Sequence, residues 1–326
     1  MASTDRKLAN GEDKTVFSLR RERGLASSYL YLFQEFWCPG IAIEGVKSFQ
    51  KCFQAKDSDV VVASFPKTGT TWLIALTFAI VNRQHFSVEN HPLLTSNPHT
   101  LVSCLEFKIF CDDIHDPVLH LANMIEPRLF STHTPFTSLP KSITESNAKI
   151  IYICRNPFDT FISAWTYFNN IKSTMSLPTL ELEEAFEMYC NGIVSFGPWW
   201  SHMLGFWKES LVRPNKVIFL KYEDLKENVN FHVKKIAEFL GCPFTAEEES
   251  NGVIESIIKL CSFEKMKDLE VNISGKLDKI IDNKLFFRKG EIGDWVNYFS
   301  PSMIQKLSKI IKEKLGGSSL SFKMYS

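Results

Sequence analysis

The stretch Val60-Val61-Val62-Ala63-Ser64-Phe65-Pro66-Lys67-Thr68-Gly69-Thr70-Thr71-Trp72 passes from a continuous apolar block through a lysine, a glycine and several threonines into an aromatic residue. A run that is apolar at successive positions, instead of every second one, suits a strand covered on both faces, as in a parallel sheet. The pattern predicts a strand over Asp59–Phe65, a tight turn, and a helix over Gly69–Arg83. Such a turn gathers backbone N–H groups, hydroxyls and an ammonium at one helix N-terminus, which makes an anion cradle. It also sits at the carboxyl end of a strand, where open α/β sheets bind ligands. It is not a Walker A loop, because the Gly-Lys-Ser/Thr ending is missing and Lys67 precedes Gly69. An ordinary turn with Thr70 as a plain N-cap is the alternative.

The rest of the chain repeats the theme. Arg128–His133, Lys149–Arg155 and Lys216–Tyr222 are further predicted strands. Helical period appears over Pro157–Asn170, Leu180–Gly192, Pro198–Leu211, Val229–Gly241, Gly252–Cys261 and Pro301–Leu315. This alternation predicts an α/β fold, a single domain with a central, mostly parallel sheet flanked by helices. Residues 1–23 are polar and expected to be flexible, leaving 24–326 as the domain. Pro92–Asn123 and Phe263–Phe287 have weak periodicity and are expected to be loop-rich covers.

Composition narrows the function. Lys plus Arg equals Asp plus Glu at 37 each, so no overall field favours nucleic acid or an anionic membrane surface, and anion binding must be local. The first residues mix acids with arginines and hold no apolar block of signal length, and no stretch is long enough to span a bilayer. A cytoplasmic address is the expectation. The eight cysteines show no CxxC pair and no histidine at zinc-ligand spacing, so free thiols are expected and no metal.

Two further turns carry cations. Ile150–Cys154 runs into Arg155-Asn156-Pro157-Phe158-Asp159, with Ser163 eight residues beyond the arginine on a helix opened by proline. Arginine can grip a phosphate bidentately; a helix-start ion pair between Arg155 and Asp159 is the other reading. Phe286-Phe287-Arg288-Lys289-Gly290 places two cations beside a glycine, which by itself also describes a solvated turn.

Together these motifs resemble the cytosolic sulfotransferases, enzymes that use 3′-phosphoadenosine 5′-phosphosulfate (PAPS). Pro66–Trp72 is similar to their 5′-phosphosulfate loop, Arg155-Asn156-Pro157-x-Asp159 with Ser163 to their 3′-phosphate element, and Arg288-Lys289-Gly290 to their third nucleotide motif. Tyr222-Glu223-Asp224 and Leu260–Glu264 match further family positions, and the likeness runs from about residue 24 to the last residues. Tyr29–Gln34 with Trp37, Asn97-Pro98-His99 and Leu269–Asn272 give it a plant flavour, with flavonol sulfotransferases foremost.

The resemblance implies that Lys67 touches the oxygen bridging sulfur and phosphorus while Thr68, Gly69, Thr70 and Thr71 bind the 5′-phosphate. It implies that Trp72, Tyr222 and Phe263, in the Cys261-Ser262-Phe263 segment, hold the adenine. Arg155, Ser163, Arg288, Lys289 and the Gly290 backbone would hold the 3′-phosphate, and PAP would be the product. Ser163 would also hold Lys67 until donor and acceptor are both present. The acceptor pocket implied is Phe107, Phe136, Tyr167 and the region of Cys104, with Trp37, Trp199 and Trp200 as further candidates, although Trp199 and Trp200 sit at a spacing more typical of core.

Sulfuryl transfer to a hydroxyl also needs a base, and histidine titrates in the right range. Of eight histidines, His133 ends a predicted strand, projects from the same sheet edge as the anion turns, and matches the family's catalytic histidine in a Thr-His-x-Pro motif. His99 and His91 flank prolines, His85, His202 and His232 are expected on helix surfaces, and His115 and His120 are candidates for the acceptor mouth. Two departures stand out: Ser131 where animal relatives often have lysine, and Thr166 where many members have histidine. The dimer motif of animal members is not found, so a monomer is expected. The expected acceptor is a flavonol or related phenol, with a hydroxyjasmonate, a brassinosteroid or a desulfoglucosinolate as alternatives. A P-loop-type kinase or an inactive nucleotide-binding protein are the readings from other classes.

Overall fold

The computed structural model describes residues 18–25, 29–111, 116–278 and 281–324. Its centre is a four-stranded parallel sheet in the order β5-β4-β6-β7, with β4 Val60–Ser64, β5 Leu129–Thr132, β6 Lys149–Cys154 and β7 Val217–Lys221. The register brings Val62 beside Ser131 and Ile151, and Tyr152 beside Phe219. Side chains alternate between two cores. Val61, Ala63, Phe130, Ile150 and Tyr152 enter one, while Val60, Val62, Leu129, Ile151 and Ile153 enter the other. Burial on both faces is why the strands are apolar at successive positions. At the amino edge the sheet is tied by Arg128 and Asp59, whose Nη2 and Oδ2 lie 2.6 Å apart with both side chains buried.

Each expected helix is present within a few residues: Thr70–Asn82, Pro157–Thr174, Leu182–Cys190, Trp199–Val212, Val229–Phe239, Val253–Leu260 and Pro301–Leu315. Asn156 caps the second of these by accepting from Phe158 N at 3.0 Å, with proline at its first turn.

A three-stranded antiparallel meander, β1 Arg21–Arg23, β2 Tyr29–Phe33 and β3 Phe36–Pro39, was not expected, nor was the helix Gly40–Cys52 that follows it. The flexible segment expected over 1–23 lies mostly outside the described residues, and Arg21–Arg23 pairs as a strand. Among the described residues the two loop-rich segments contain only short elements, such as Pro98–Leu101, a π-helical turn Leu105–Ile109, Phe263–Lys267 and Glu270–Ile273. They are joined where buried Asn97 donates from Nδ2 to Oδ1 of buried Asn272 at 2.8 Å.

Candidate active site

The first turn leaves β4 at Ser64. Lys67 and Gly69 take left-handed backbone angles, φ 70° and 111°, before the helix begins at Thr70. At Gly69 a Cβ would come within 2.7 Å of the Tyr222 ring, so only glycine passes there. The loop hydroxyls have protein partners. Thr68 Oγ1 donates to the carbonyls of Phe65 and Ile153 at 2.7 and 3.0 Å, so its proton is committed and Thr68 can offer an anion its backbone N–H only. Thr70 Oγ1 lies 2.7 Å from Ser64 Oγ, and Thr71 Oγ1 lies 2.8 Å from His99 Nε2. His99, whose role was open from sequence, is thereby part of the loop; burial, then His133 and Lys67, push its pKa down to about 3, so it stands neutral.

The other two basic turns meet at the same rim. Arg155 is buried, lies 4.5 Å over the Tyr222 ring and donates to the Glu291 carbonyl. Its Nε, also buried, has no partner among the described residues, which is what an anion-reading guanidinium would show. The ion pair with Asp159 exists at 3.6 Å, yet Asp159 chiefly accepts from Gly293 N and Trp295 N at 2.8 and 3.2 Å, so it anchors the third turn to the second. Arg288 and Lys289 share Asp294, the lysine at 2.6 Å. Gly290 accepts from the Tyr222 hydroxyl at 3.1 Å and lies so close to Phe263 that a Cβ would be 2.7 Å from that ring. Trp72 meets Tyr222 edge-on with ring centres 5.5 Å apart. Tyr222 thus links Trp72 of the first turn, Arg155 of the second and Gly290 of the third, with Phe263 against that glycine. Lys67 is half-buried near Arg288 and Arg155; desolvation first, then those two charges, lower its pKa to about 7.

The base candidate shares this edge. His133 Nδ1 lies 2.8 Å from the Ser64 carbonyl, which can only accept, so Nδ1 carries the proton and Nε2 holds the lone pair. Its backbone N–H donates to Glu106 Oε1, while Glu106 Oε2 accepts from Thr132 Oγ1 at 2.8 Å. Burial lowers the His133 pKa and Lys67 adds to that, whereas Glu106 and the Ser64 bond oppose it.

A sulfotransferase domain model matches residues 57–319. The chain belongs to the sulfotransferase family. It is similar to cytosolic sulfotransferases 15 and 14 of Arabidopsis thaliana, each 52% identical, over 99% and 94% of this chain and 90% and 89% of those proteins. Among solved structures it resembles an Arabidopsis thaliana steroid sulphotransferase candidate, 37% identical with a TM-score of 0.76 and 98% of both chains covered. It also resembles a mouse sulfotransferase complexed with PAP, 27% identical with a TM-score of 0.68 over 89% of this chain and 95% of that one. The enzyme is a PAPS-dependent sulfotransferase, which sets the kinase reading aside.

Other expected site residues fall in different places in this sulfotransferase. Cys261 is fully buried among apolar side chains, so its thiol is withdrawn from any ligand and burial raises its pKa. Ser262 Oγ is used as a helix cap, accepting from Lys265 N at 3.2 Å. Ser163 is buried on the helix Pro157–Thr174 and makes no hydrogen bond to Lys67, whose Nζ instead lies 3.5 Å from the centre of the Tyr167 ring. Phe107 packs edge-on against Phe196 at 5.8 Å, and Phe196 lies 5.7 Å from the His133 ring, so Phe107 reaches the base through one neighbour. Phe136 packs on Phe206 at 5.5 Å, against the core. Trp199 is core, and Trp200 packs on it. Ser131 is buried in β5, where its N–H donates to the Ser103 carbonyl at 3.0 Å and its Oγ to the Val102 carbonyl at 3.4 Å.

One expectation is overturned. His202 was expected on a helix surface, but it is buried, donating from Nε2 to the His133 carbonyl at 2.8 Å and paired through Nδ1 with the Tyr152 hydroxyl at 2.9 Å. It shares the helix's inner stripe with Trp199, Met203 and Phe206 while Ser201, Lys208 and Leu211 face outward, and a polar side chain in such a stripe shows its buried partners only once the fold is known. Glu106 was missed altogether, since a lone glutamate in a weakly periodic segment carries no motif. His115 lies outside the described residues, and His120 is on the short helix Pro117–Ala122.

Proposed function

We propose that this enzyme moves the sulfuryl group of PAPS to the hydroxyl of a small, flat, hydrophobic acceptor, a flavonol or related phenol, and releases PAP. The observation that carries the reading is the meeting of Lys67, Arg155 and Arg288 beside the ring pair Trp72–Tyr222, with a buried guanidinium nitrogen that has no partner among the described residues. Two cationic ends with an aromatic middle match a nucleotide phosphorylated at both ends.

The proposed roles follow. The backbone of Thr68–Thr71 and the Thr70 and Thr71 hydroxyls hold the 5′-phosphate. Trp72, Tyr222 and Phe263 hold the adenine. Arg155, Ser163, Arg288, Lys289 and Gly290 hold the 3′-phosphate. His133 Nε2 takes the acceptor's proton as its oxygen bonds to sulfur, and Lys67 stabilises the charge left on the bridging oxygen as the S–O bond to phosphate breaks. Positioning and electrostatics supply the catalysis, with no covalent enzyme intermediate. Phe107 and Tyr167 flank the acceptor, and Phe136 supports it from the core side.

The relatives' names support a cytosolic enzyme, and we assign it a monomer with neither nucleic acid nor membrane as partner. A second reading, a steroid hydroxyl, is favoured by the likeness to an Arabidopsis thaliana steroid sulphotransferase candidate. A screen with labelled PAPS against flavonols, hydroxyjasmonates, steroids and desulfoglucosinolates tests the assignment. Label is expected on a flavonol; transfer to a steroid alone would replace the acceptor, and transfer to none would remove the phenol reading.

A further inference from the structure

Lys67 does not rest on Ser163, the partner that the family resemblance implied. Among the described residues Lys67 has no hydrogen-bond or ion-pair partner; its ammonium lies 3.5 Å from the centre of the Tyr167 ring and 5.6 Å from that of Phe286. The charges and titratable groups around it are unfavourable or neutral: Arg155 after β6, Arg288 from the third turn, His133 after β5 and His99 from the loop at Pro98. An ammonium held in such company needs an electron-rich face, and a desolvated cation–π contact supplies one. The ring is itself braced. Tyr167 lies 5.7 Å from Phe286, Phe286 lies 4.5 Å from His99, and His99 bonds Thr71 of the phosphate loop.

We propose that Tyr167 is the resting partner of Lys67, a positioning residue whose ring face holds the ammonium while the donor site is empty and yields it when the donor's bridging oxygen arrives. This rests on Lys67 being the donor-site lysine. The tyrosine then does two jobs, since it is also placed beside the acceptor, and an acceptor stacked on its face competes with the lysine for the ring. Binding of acceptor and commitment of Lys67 to the donor become mutually reinforcing.

The test uses the full-length enzyme carrying ¹³C-labelled lysine, with Lys67→Met identifying the Lys67 ε-CH₂ signal. In the empty wild type that signal should be displaced upfield by the ring current of Tyr167, and PAP should remove the displacement. Tyr167→Phe should keep it, because the face survives. Tyr167→Leu should abolish it and lower the pH midpoint of the lysine by about one pH unit, the scale of a desolvated cation–π contact. An undisplaced signal in the empty wild type overturns the proposal, as does a midpoint that Tyr167→Leu leaves alone. If the leucine variant does not fold, the wild-type signal decides by itself. Failure of PAP to bind at all would instead strike the donor-site reading, so the two failures are distinguishable.

Discussion

The donor side and the acceptor side of this enzyme are built from different materials. The donor side consists of three turns, two of them following strands, where lysine, arginine, glycine and threonine occupy positions fixed by backbone geometry: Lys67 and Gly69 left-handed, Arg155 just ahead of a capped helix, Gly290 left-handed against Phe263. The acceptor side consists of aromatic residues such as Phe107, Phe136 and Tyr167, which pack against Phe196, Phe206 and Phe286 much as core residues do. Polar residues at strand ends must be there for a ligand or a cap, whereas an aromatic ring can serve a ligand and the core alike.

The largest effect expected from this contrast falls on the base. His133→Ala should lower kcat by about 10²–10⁴-fold, the range for general-base catalysis, with PAP affinity nearly unchanged in calorimetry. Near-normal turnover would take the proton from His133 and give it to another group. Next in size, Arg155→Ala should weaken PAP by about 10–100-fold, the scale of hydrogen bonds to a charged group, while adenosine 5′-phosphate loses little. Equal losses for both nucleotides would mean that Arg155 merely braces the Tyr222 ring.

The pH dependence gives a third test. Lys67, with a free-enzyme pKa of about 7, must be protonated to attract an anion, so PAP affinity should be greatest below pH 7 and fall as the pH rises past it. His133 must be neutral, so kcat/KM should rise with pH through a midpoint below the ordinary histidine value of about 6.5. The product is a narrow bell in kcat/KM; affinity flat from pH 6 to 9 would remove the lysine from the site. The smallest effects separate the aromatics. Phe136→Ala should cost about 2 kcal/mol of stability, below the full-burial range because the ring is only half-buried, with modest change in KM. Phe107→Ala should raise acceptor KM with a smaller loss in melting temperature. The reverse pattern would exchange their roles.

What the sequence displayed tracks the same division. The sheet was legible because Val60–Ala63 and Ile150–Ile153 are apolar at successive positions, which follows from alternate residues entering opposite cores. The turns at Lys67 and Arg155 were legible because each follows a strand, whereas Arg288-Lys289-Gly290 follows a short 3-10 turn and was legible only in the company of the other two. The helix Gly40–Cys52 escaped notice although Ala42, Ile43, Val46 and Phe49 face inward at helical spacing, since glycines at 40 and 45 lower its intrinsic propensity and tertiary packing overrides them. Glu106 and His202, which grip the two peptide groups of His133, were invisible because they act through the backbone of a residue remote in sequence. Thr68 shows the converse: the motif was visible, but only the fold reveals that its hydroxyl is spent on Phe65 and Ile153.

A crystal structure of the PAP complex bears on the central claim most directly. One phosphate should lie on the turn Lys67–Thr71 and the other between Arg155 and Arg288, with the adenine between Trp72, Tyr222 and Phe263. Density that leaves either phosphate out of reach of its turn would contradict it.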